Sequence, residues 1–269
     1  GFAGAAYRHP IIGWMHDLQR MQVADARRWY QRWYHPANAT LVVVGDVTPE
    51  QVMTLAQQNF GAIAAGSTFP APLSATTPLS LTAPVVVKAP AALPYVVLAW
   101  SAPKLQAKAN NQDVYALELL ASILDGQPNA RLPRVLVQTQ HQAVSVGAGY
   151  DSLARGEAVF SLEMTLAPSL TLPQAKARLL AVVEEIAQQG VSAVELARVK
   201  RQAQANRIFQ RDSLFYQAMQ LGILDNVGLP PDTLKESLKG LEAVTATQVQ
   251  AAARALLQRP AVEAWLEPL

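Results

Sequence analysis

The stretch that decides the fold reads Tyr34-His35-Pro36-Ala37-Asn38-Ala39-Thr40-Leu41-Val42-Val43-Val44-Gly45-Asp46-Val47. Proline lacks a backbone donor and disfavours helical geometry at the residue before it, so a helix must end near His35. The aliphatic run from Leu41 to Val44 is too short for an independent helix and is rich in strand-forming residues. We therefore predict a helix that ends at Pro36 and a central strand that follows it.

The segments on either side of this stretch have helical patterns. Apolar and aromatic residues recur at helical spacing from Leu18 to Tyr34, which predicts one amphipathic helix. After the Gly-Asp turn, Thr48 is the predicted N-cap, Pro49 the first helical residue and Gln51 the partner in a capping box, so a second helix should run to about Phe60. Residues 63–83 contain mainly Ala, Ser, Thr and Pro with no charge, which predicts an extended linker lying against the surface.

Residues 84–269 alternate between strand and helix patterns and are predicted to form a second unit. Strands are predicted at Val85–Val87, Tyr95–Ser101, Gln142–Tyr150, Glu157–Leu166 and Val262–Leu266, the third and fourth as a hairpin. Helices are predicted at Gln112–Leu124, Arg131–Val137, Pro173–Gln189, Pro231–Lys239 and Thr245–Leu257. A further helix should start at Ser192, with Glu195 completing a capping box, and stay helical to about Asn226.

The two ends of the chain resemble each other. A helix, a proline and an apolar strand pattern occur at Leu18–Val44 and again at Leu241–Leu266, with Pro36-Ala37 matched by Pro260-Ala261. Two interpretations remain open, an internal repeat or two unrelated helix-to-strand connections. If the repeat is real, residues 1–62 are the last part of one domain and residues 84–269 are a complete copy of it.

Composition excludes several classes of function. The 269 residues are 51% hydrophobic and 16% charged, as in a globular protein, and no apolar run approaches the length of about 20 residues needed to cross a bilayer. The net charge of +2 comes from 22 basic and 20 acidic residues, so nucleic-acid binding is not indicated. The absence of cysteine excludes disulfides and thiolate sites and leaves the compartment open. The first six residues lack an initiator methionine and a signal-peptide layout, which we interpret as a start inside a longer protein.

The titratable residues suggest no catalytic site. No histidine has a partner at metal-ligand spacing, since none of the four belongs to an H-x-x-E-H or H-E-x-x-H motif: His9, His16, His35 and His141. Glu184 and Glu185 are helical neighbours that face different directions, so they are not an acid/base pair. Gly147-Ala148-Gly149 lies in a strand pattern without a following helix and is not a phosphate loop. The residues alone thus indicate only a globular α+β protein.

Ordered motifs nevertheless resemble a known family. Much of the first 60 residues is similar to the second half of the zinc-binding domain of the pitrilysin (insulinase-like) metallopeptidases, in the segments Tyr7–Trp14, Trp33–Ala39, Leu41–Val47 and Phe60-Gly61. Residues 84–269, with the Asn129-Ala130-Arg131-Leu132 segment, resemble the companion domain of that family. The resemblance implies an α+β fold of repeated domains, each an antiparallel β-sheet covered on one face by α-helices, with the first domain incomplete here.

The family's chemistry depends on groups that this chain lacks. The resemblance implies that the zinc motif H-x-x-E-H precedes Gly1, so zinc would belong to the parent protein and this segment would hold neither metal nor catalytic residues. Members also carry an Arg and a Tyr, seven residues apart, that bind the substrate backbone and the tetrahedral intermediate. Aligned from Arg131-Leu132, these positions are Val137 and Val144, and valine cannot stabilise an oxyanion.

Two hypotheses follow from the resemblance. In the first, the chain is the scaffold and chamber wall of a zinc metalloendopeptidase that acts on peptides, and a homologous partner subunit supplies the Arg/Tyr pair. In the second, it belongs to a non-proteolytic homologue that serves as a structural or assembly subunit. Export of many bacterial relatives favours the periplasm over the cytoplasm. An intact or a degenerate zinc motif before Gly1 would separate the two hypotheses.

Overall fold

The computed structural model of the protein describes residues 9–66 and 83–269. In these ranges the chain forms five strands: β1 (Val85–Ala89), β2 (Tyr95–Ala102), β3 (Ala143–Tyr150), β4 (Ala158–Leu166) and β5 (Val262–Pro268). The α-helices of the same ranges are α1 (Met15–Arg20), α2 (Val23–Trp33), α3 (Pro49–Phe60), α4 (Gln112–Asp125), α5 (Leu172–Gln189), α6 (Ala193–Phe209), α7 (Leu214–Val227), α8 (Thr233–Ala243) and α9 (Ala246–Leu257). A π-helical segment covers Pro133–Thr139.

The strands form one five-stranded sheet in the order β1-β5-β2-β4-β3. The pairs β5-β2, β2-β4 and β4-β3 are antiparallel, and β3 and β4 form the predicted hairpin. β1 adds to β5 in parallel, so the sheet is antiparallel with one parallel edge strand. The α+β architecture of an antiparallel sheet with helices on one face is as the resemblance implied.

The hydrophobic core lies between one face of the sheet and the helices α4, α5 and α9. Burial alternates along β2 and β4, because successive side chains of a strand point to opposite faces. Trp100 and Phe160 come from adjacent strands on the buried face and meet edge to face with ring centroids 6.4 Å apart. α4 and α5 both pack against α9, which completes the helical layer.

Local capping explains where several helices begin. Thr48 and Gln51 form the predicted capping box at α3: Gln51 N donates to Thr48 Oγ1 over 3.3 Å, and Thr48 N donates to Gln51 Oε1 over 3.0 Å. Ser192 caps α6 as predicted, accepting from Glu195 N at 3.1 Å. The Glu195 carboxylate does not complete a capping box, since it binds Arg131 instead.

Two long predicted helices are each interrupted. The segment Leu18–Tyr34 forms α1 and α2, because Gln22 is extended and its N–H donates to the Asp25 carboxylate over 2.9 Å, which starts a new helix. The helical run expected to reach Asn226 passes through a 3₁₀ turn at Gln210–Asp212, after which Ser213 caps α7. In both places a local cap starts a new helix, although the apolar periodicity of the sequence continues across the interruption.

The predicted central strand at Leu41–Val44 is wrong for the described ranges. The backbone there pairs with no strand, and Leu41 and Val43 are 57% and 47% exposed. Thr40 Oγ1 donates to Asp225 Oδ2 over 2.6 Å, and a methyl carbon of Val42 lies 3.9 Å from the position of a Cβ built on Gly222. Strand formation requires a partner with free backbone groups, and here the run lies beside α7 instead.

The segment before the sheet domain has no buried helical residue. None of α1, α2 and α3 buries a side chain, although α2 stacks its aromatic residues on one another. The division of the chain into 1–62, 63–83 and 84–269 stays a prediction. Most of the predicted linker, residues 67–82, lies outside the described residues.

Candidate functional site

Val137 and Val144 occupy the positions where the resemblance places an Arg/Tyr pair. Val137 lies in the π-helical segment and packs partly against the core, whereas Val144 is in edge strand β3 and is 56% exposed. Neither side chain can donate a hydrogen bond or carry charge. Their assignment as the equivalents of the family pair remains a prediction.

Arg131 anchors the π-helical segment to the turn between α5 and α6. Its Nε and Nη2 donate to the Glu195 carboxylate over 3.1 and 2.8 Å, and Nη2 also donates to the Gly190 carbonyl over 3.3 Å. A longer contact of 3.4 Å reaches Glu185. The Arg131 hydrogen bonds lower the pKa of Glu195, which keeps this mostly buried carboxylate ionised. Arg131, from the Asn129–Leu132 segment, therefore has a structural role. Its hydrogen bonds to Glu195 and Gly190 are called here the Arg131 clamp.

The described histidines do not form a metal site. His16 lies 3.0 Å from Asp17, and both ring nitrogens of His35 lie 3.1 Å from backbone carbonyls, those of Arg32 and Ala65. His141 has a φ of 52° at the turn before β3. Across residues 9–66 and 83–269, no three or more His, Cys, Asp or Glu side chains are grouped to hold a metal ion. The donor set of these ranges therefore does not fit zinc.

The face of the sheet opposite the helices is the candidate functional surface, called here the uncovered face. Strand register gives rows of residues across it, because directly paired residues share a face. One row contains Val85, Ala264, Val97, Glu163 and Gly147. The neighbouring rows contain Val87, Leu266, Tyr95, Thr165 and Ser145, then Val262, Ala99, Ser161 and Gly149. Most of these residues are partly or fully exposed.

Glu163 is the charged residue in the rows described above. The Tyr95 hydroxyl donates to its carboxylate, and burial together with this carboxylate raises the pKa of Tyr95. The carboxylate lies over Gly147, where a built Cβ would be 2.6 Å from Oε1. Gly147 thus provides the space in which Glu163 rests. The Tyr95 hydrogen bond positions the side chain, which remains exposed to solvent.

The free edge of β3 is partly blocked. Asp125, at the end of α4, accepts from the backbone N–H of Ala148 over 3.3 Å. That N–H would otherwise face outward from the edge strand and be able to pair with an added strand. Burial raises the pKa of Asp125, and the Ala148 hydrogen bond opposes this rise.

A second polar site lies in a cleft of about 690 Å³ between α4, α6, α7 and α8. Glu118 is largely buried there, and it accepts from Ser152 Oγ over 2.7 Å and from Arg207 Nη2 over 3.2 Å. Burial raises the pKa of Glu118, and these two partners reduce the rise.

Glu118 gives a testable pH dependence. Because its folded pKa is raised, the folded state binds more protons than the unfolded state once pH rises above the ordinary value of 4.5. Its contribution to stability is therefore complete below that pH and is lost as pH rises through the folded pKa. We expect Glu118→Gln to gain stability relative to the wild type between pH 4 and pH 7, measured by urea unfolding. The exposed control Glu242→Gln should follow the wild type, and a pH-independent difference for Glu118→Gln would contradict this.

Sequence reasoning did not single out Glu163 or Glu118. A signal for Glu163 was present, because β4 alternates Ser161, Glu163 and Thr165 with apolar residues. Alternation predicts which residues share a face, but it does not say whether that face is covered. Glu118 sits within the apolar run of α4, and its partners are 34 and 89 residues away along the chain.

A family comparison identifies the chain. The sequence profile described as "Peptidase M16 inactive domain" matches residues 20–203, more than half of the chain. The chain belongs to the peptidase M16 inactive-domain family. The resemblance to the pitrilysin-like zinc peptidases is thereby confirmed.

Individual relatives agree with this family. The chain is 24% identical over 210 residues to the zinc protease PqqE of Helicobacter pylori, covering 77% of this chain and 46% of that protein. Its fold matches the peptidase M16 inactive domain from Pseudomonas fluorescens with a TM-score of 0.83 and 19% identity, over 98% of this chain and 61% of the other. It also matches the first half of the periplasmic protease PqqL from Escherichia coli with a TM-score of 0.68 and 18% identity, over 96% and 57%.

The M16 inactive-domain chain spans about half the length of the curated relative PqqE. The structural matches, all below 25% identity here, establish the fold alone. Within the described ranges, every helix is too short or too polar to traverse a lipid bilayer.

Proposed function

We propose that this chain is the non-catalytic C-terminal part of a zinc-dependent peptidase. The match to the M16 inactive domain carries the proposal. In it, zinc and the water that it activates belong to another part of the longer protein, and this segment serves as scaffold and as one wall of a peptide-binding chamber. The uncovered face supports the proposed role as a chamber wall, because five paired strands form a wide surface on the side of the sheet away from the core helices.

The exposed apolar residues of the first segment support an incomplete first domain. Trp14, Trp29 and Phe60 are 49%, 58% and 51% exposed, as are Leu41 and other aliphatic residues nearby. Exposed apolar residues that form a large surface patch usually mark a site where another protein segment binds. In our proposal, another part of the longer protein pairs with Leu41–Val44 and covers α2, so that this run becomes the strand that its sequence predicts.

A partner subunit completes the proposed site. Valine at both positions 137 and 144 leaves the chain without an oxyanion donor there, so a homologous subunit would supply the Arg/Tyr pair. The same two valines also favour the second hypothesis, a non-proteolytic homologue with a structural or assembly role. The likeness to the periplasmic PqqL favours a periplasmic location.

Zinc content tests the proposal. We expect about one zinc per chain in the longest natural polypeptide that contains this sequence, purified without chelator and measured by atomic emission. The 1–269 segment, prepared identically as the control, should bind no stoichiometric zinc and cleave nothing. Zinc binding together with peptide cleavage only after a homologous subunit is added would support the heterodimer. A folded long polypeptide without zinc would favour the structural subunit, and stoichiometric zinc in the segment would contradict the proposal.

A further inference from the structure

The rows of the uncovered face contain neutral residues and one carboxylate, that of Glu163. The positions around Glu163 include small residues, at Gly147, Gly149, Ser145, Ser161 and Ala99, together with the larger Val97, Thr165 and Tyr95. Five strands about 4.8 Å apart, each spanning five to nine residues, make a surface wide enough for an extended peptide. The small side chains would let a peptide backbone approach the sheet closely.

Glu163 is positioned by Tyr95 and has no basic partner in the described ranges. The Tyr95 hydroxyl donates to the carboxylate, the absence of a side chain at Gly147 leaves room for it, and a hydroxyl brings no positive charge. In the described ranges, no Lys, Arg or His nitrogen lies within 4.0 Å of it, whereas Glu263 on the opposite face pairs with Lys176. Pre-positioning matters because a fixed acceptor loses less conformational entropy when a ligand binds.

We propose that Glu163 binds a Lys or Arg side chain of an extended peptide lying on the uncovered face. This inference rests on the proposed function, in which that face is the wall of a peptide chamber. Charge complementarity selects the basic side chain, and Val97, which pairs directly with Glu163 across the strands, offers apolar surface to its aliphatic stem. Asp125 occupies a backbone N–H of the β3 edge, so a peptide can pair less readily with that edge. This favours the uncovered face as the binding surface.

Binding of matched peptides tests the inference. Short extended peptides that differ only at the central residue, Arg, norleucine or Glu, are titrated into the longest natural polypeptide and followed by fluorescence anisotropy. At low salt we expect the Arg peptide to bind about fivefold more tightly than the norleucine peptide, near the upper range for an exposed ion pair. The Glu peptide should bind most weakly, and high salt should reduce the differences.

Variants assign the preference to Glu163. Glu163→Gln should lower the affinity for the Arg peptide to that for the norleucine peptide and leave the latter unchanged. Gly147→Ala should act in the same direction, because its Cβ would displace the carboxylate. Glu242→Gln, on the helical side in α8, should change nothing. Equal losses for all peptides, or no preference in the wild type, would overturn the inference.

Hydrolysis of the same peptides, assayed in parallel, separates this inference from the proposed function. Binding with an Arg preference but no cleavage counts against the peptidase and supports the role of Glu163. Cleavage without an Arg preference in binding supports the peptidase and overturns the role of Glu163.

Discussion

Arg131→Ala is expected to lower the free energy of unfolding by about 3–5 kcal/mol, as when one partner of a buried ion pair is removed. The Arg131 side chain is 11% exposed and that of Glu195 is 18% exposed, so the remaining carboxylate would be left poorly solvated. The Gly190 carbonyl would lose a donor as well. Urea unfolding at pH 7, followed by far-UV circular dichroism, measures the loss.

Two comparisons distinguish the buried pair from a general loss of charge. Arg134→Ala removes an exposed arginine three residues further along the chain, in the π-helical segment, and should cost no more than about 0.5 kcal/mol. The double variant Arg131→Met/Glu195→Gln removes both charges and should be less destabilised than Arg131→Ala, because no uncompensated charge remains. Equal losses for Arg131→Ala and Arg134→Ala would show that the clamp contributes little.

Trp100→Ala is expected to destabilise the sheet domain by about 3–5 kcal/mol, the usual cost of truncating a buried aromatic residue. Trp100 is 2% exposed, packs edge to face against Phe160, and donates through Nε1 to the Arg259 carbonyl over 3.2 Å. The substitution would leave a cavity and an acceptor without its donor. The same unfolding measurement applies, since far-UV dichroism does not depend on tryptophan fluorescence.

Trp29→Ala provides a control with the same chemical change. Trp29 is 58% exposed and contacts mainly its neighbours Trp33 and Tyr34, at ring-centroid distances of 6.4 and 5.8 Å. We expect its loss to cost no more than about 1 kcal/mol, the value of an aromatic contact. A similar loss at both positions would contradict the placement of Trp100 in the core.

The contacts that maintain the fold of this domain differ from the residues that we propose to bind peptide. The sheet, its helical cover and the hydrogen bonds of Arg131 maintain the fold of the described domain. In our proposal this domain binds peptide without stabilising an oxyanion, because the two tasks depend on different residues. Glu163 is our candidate for the peptide-binding task.

Short-range features of the sequence determined the local structure. The capping box at Thr48 and Gln51 correctly placed the start of α3, and alternating burial in β2 and β4 matched the predicted strands. The ordered motifs of the first 60 residues, together with the Asn129–Leu132 segment, carried the family resemblance. These features depend on residues within a few positions of one another, so they can be predicted from the local sequence without knowledge of tertiary contacts.

Only the tertiary structure decided the remaining features, because they depend on partners distant in the chain. Leu41–Val44 has a strand sequence but no strand to pair with in the described ranges, so its propensity is not realised. Glu195 lies three residues after the helix cap Ser192 and was expected to complete a capping box. Its carboxylate instead accepts hydrogen bonds from Arg131, which is 64 residues away in the chain. Glu163 faces outward because β4 pairs in one register between β2 and β3, so that Tyr95 can donate to its carboxylate and Gly147 leaves room for it on the uncovered face.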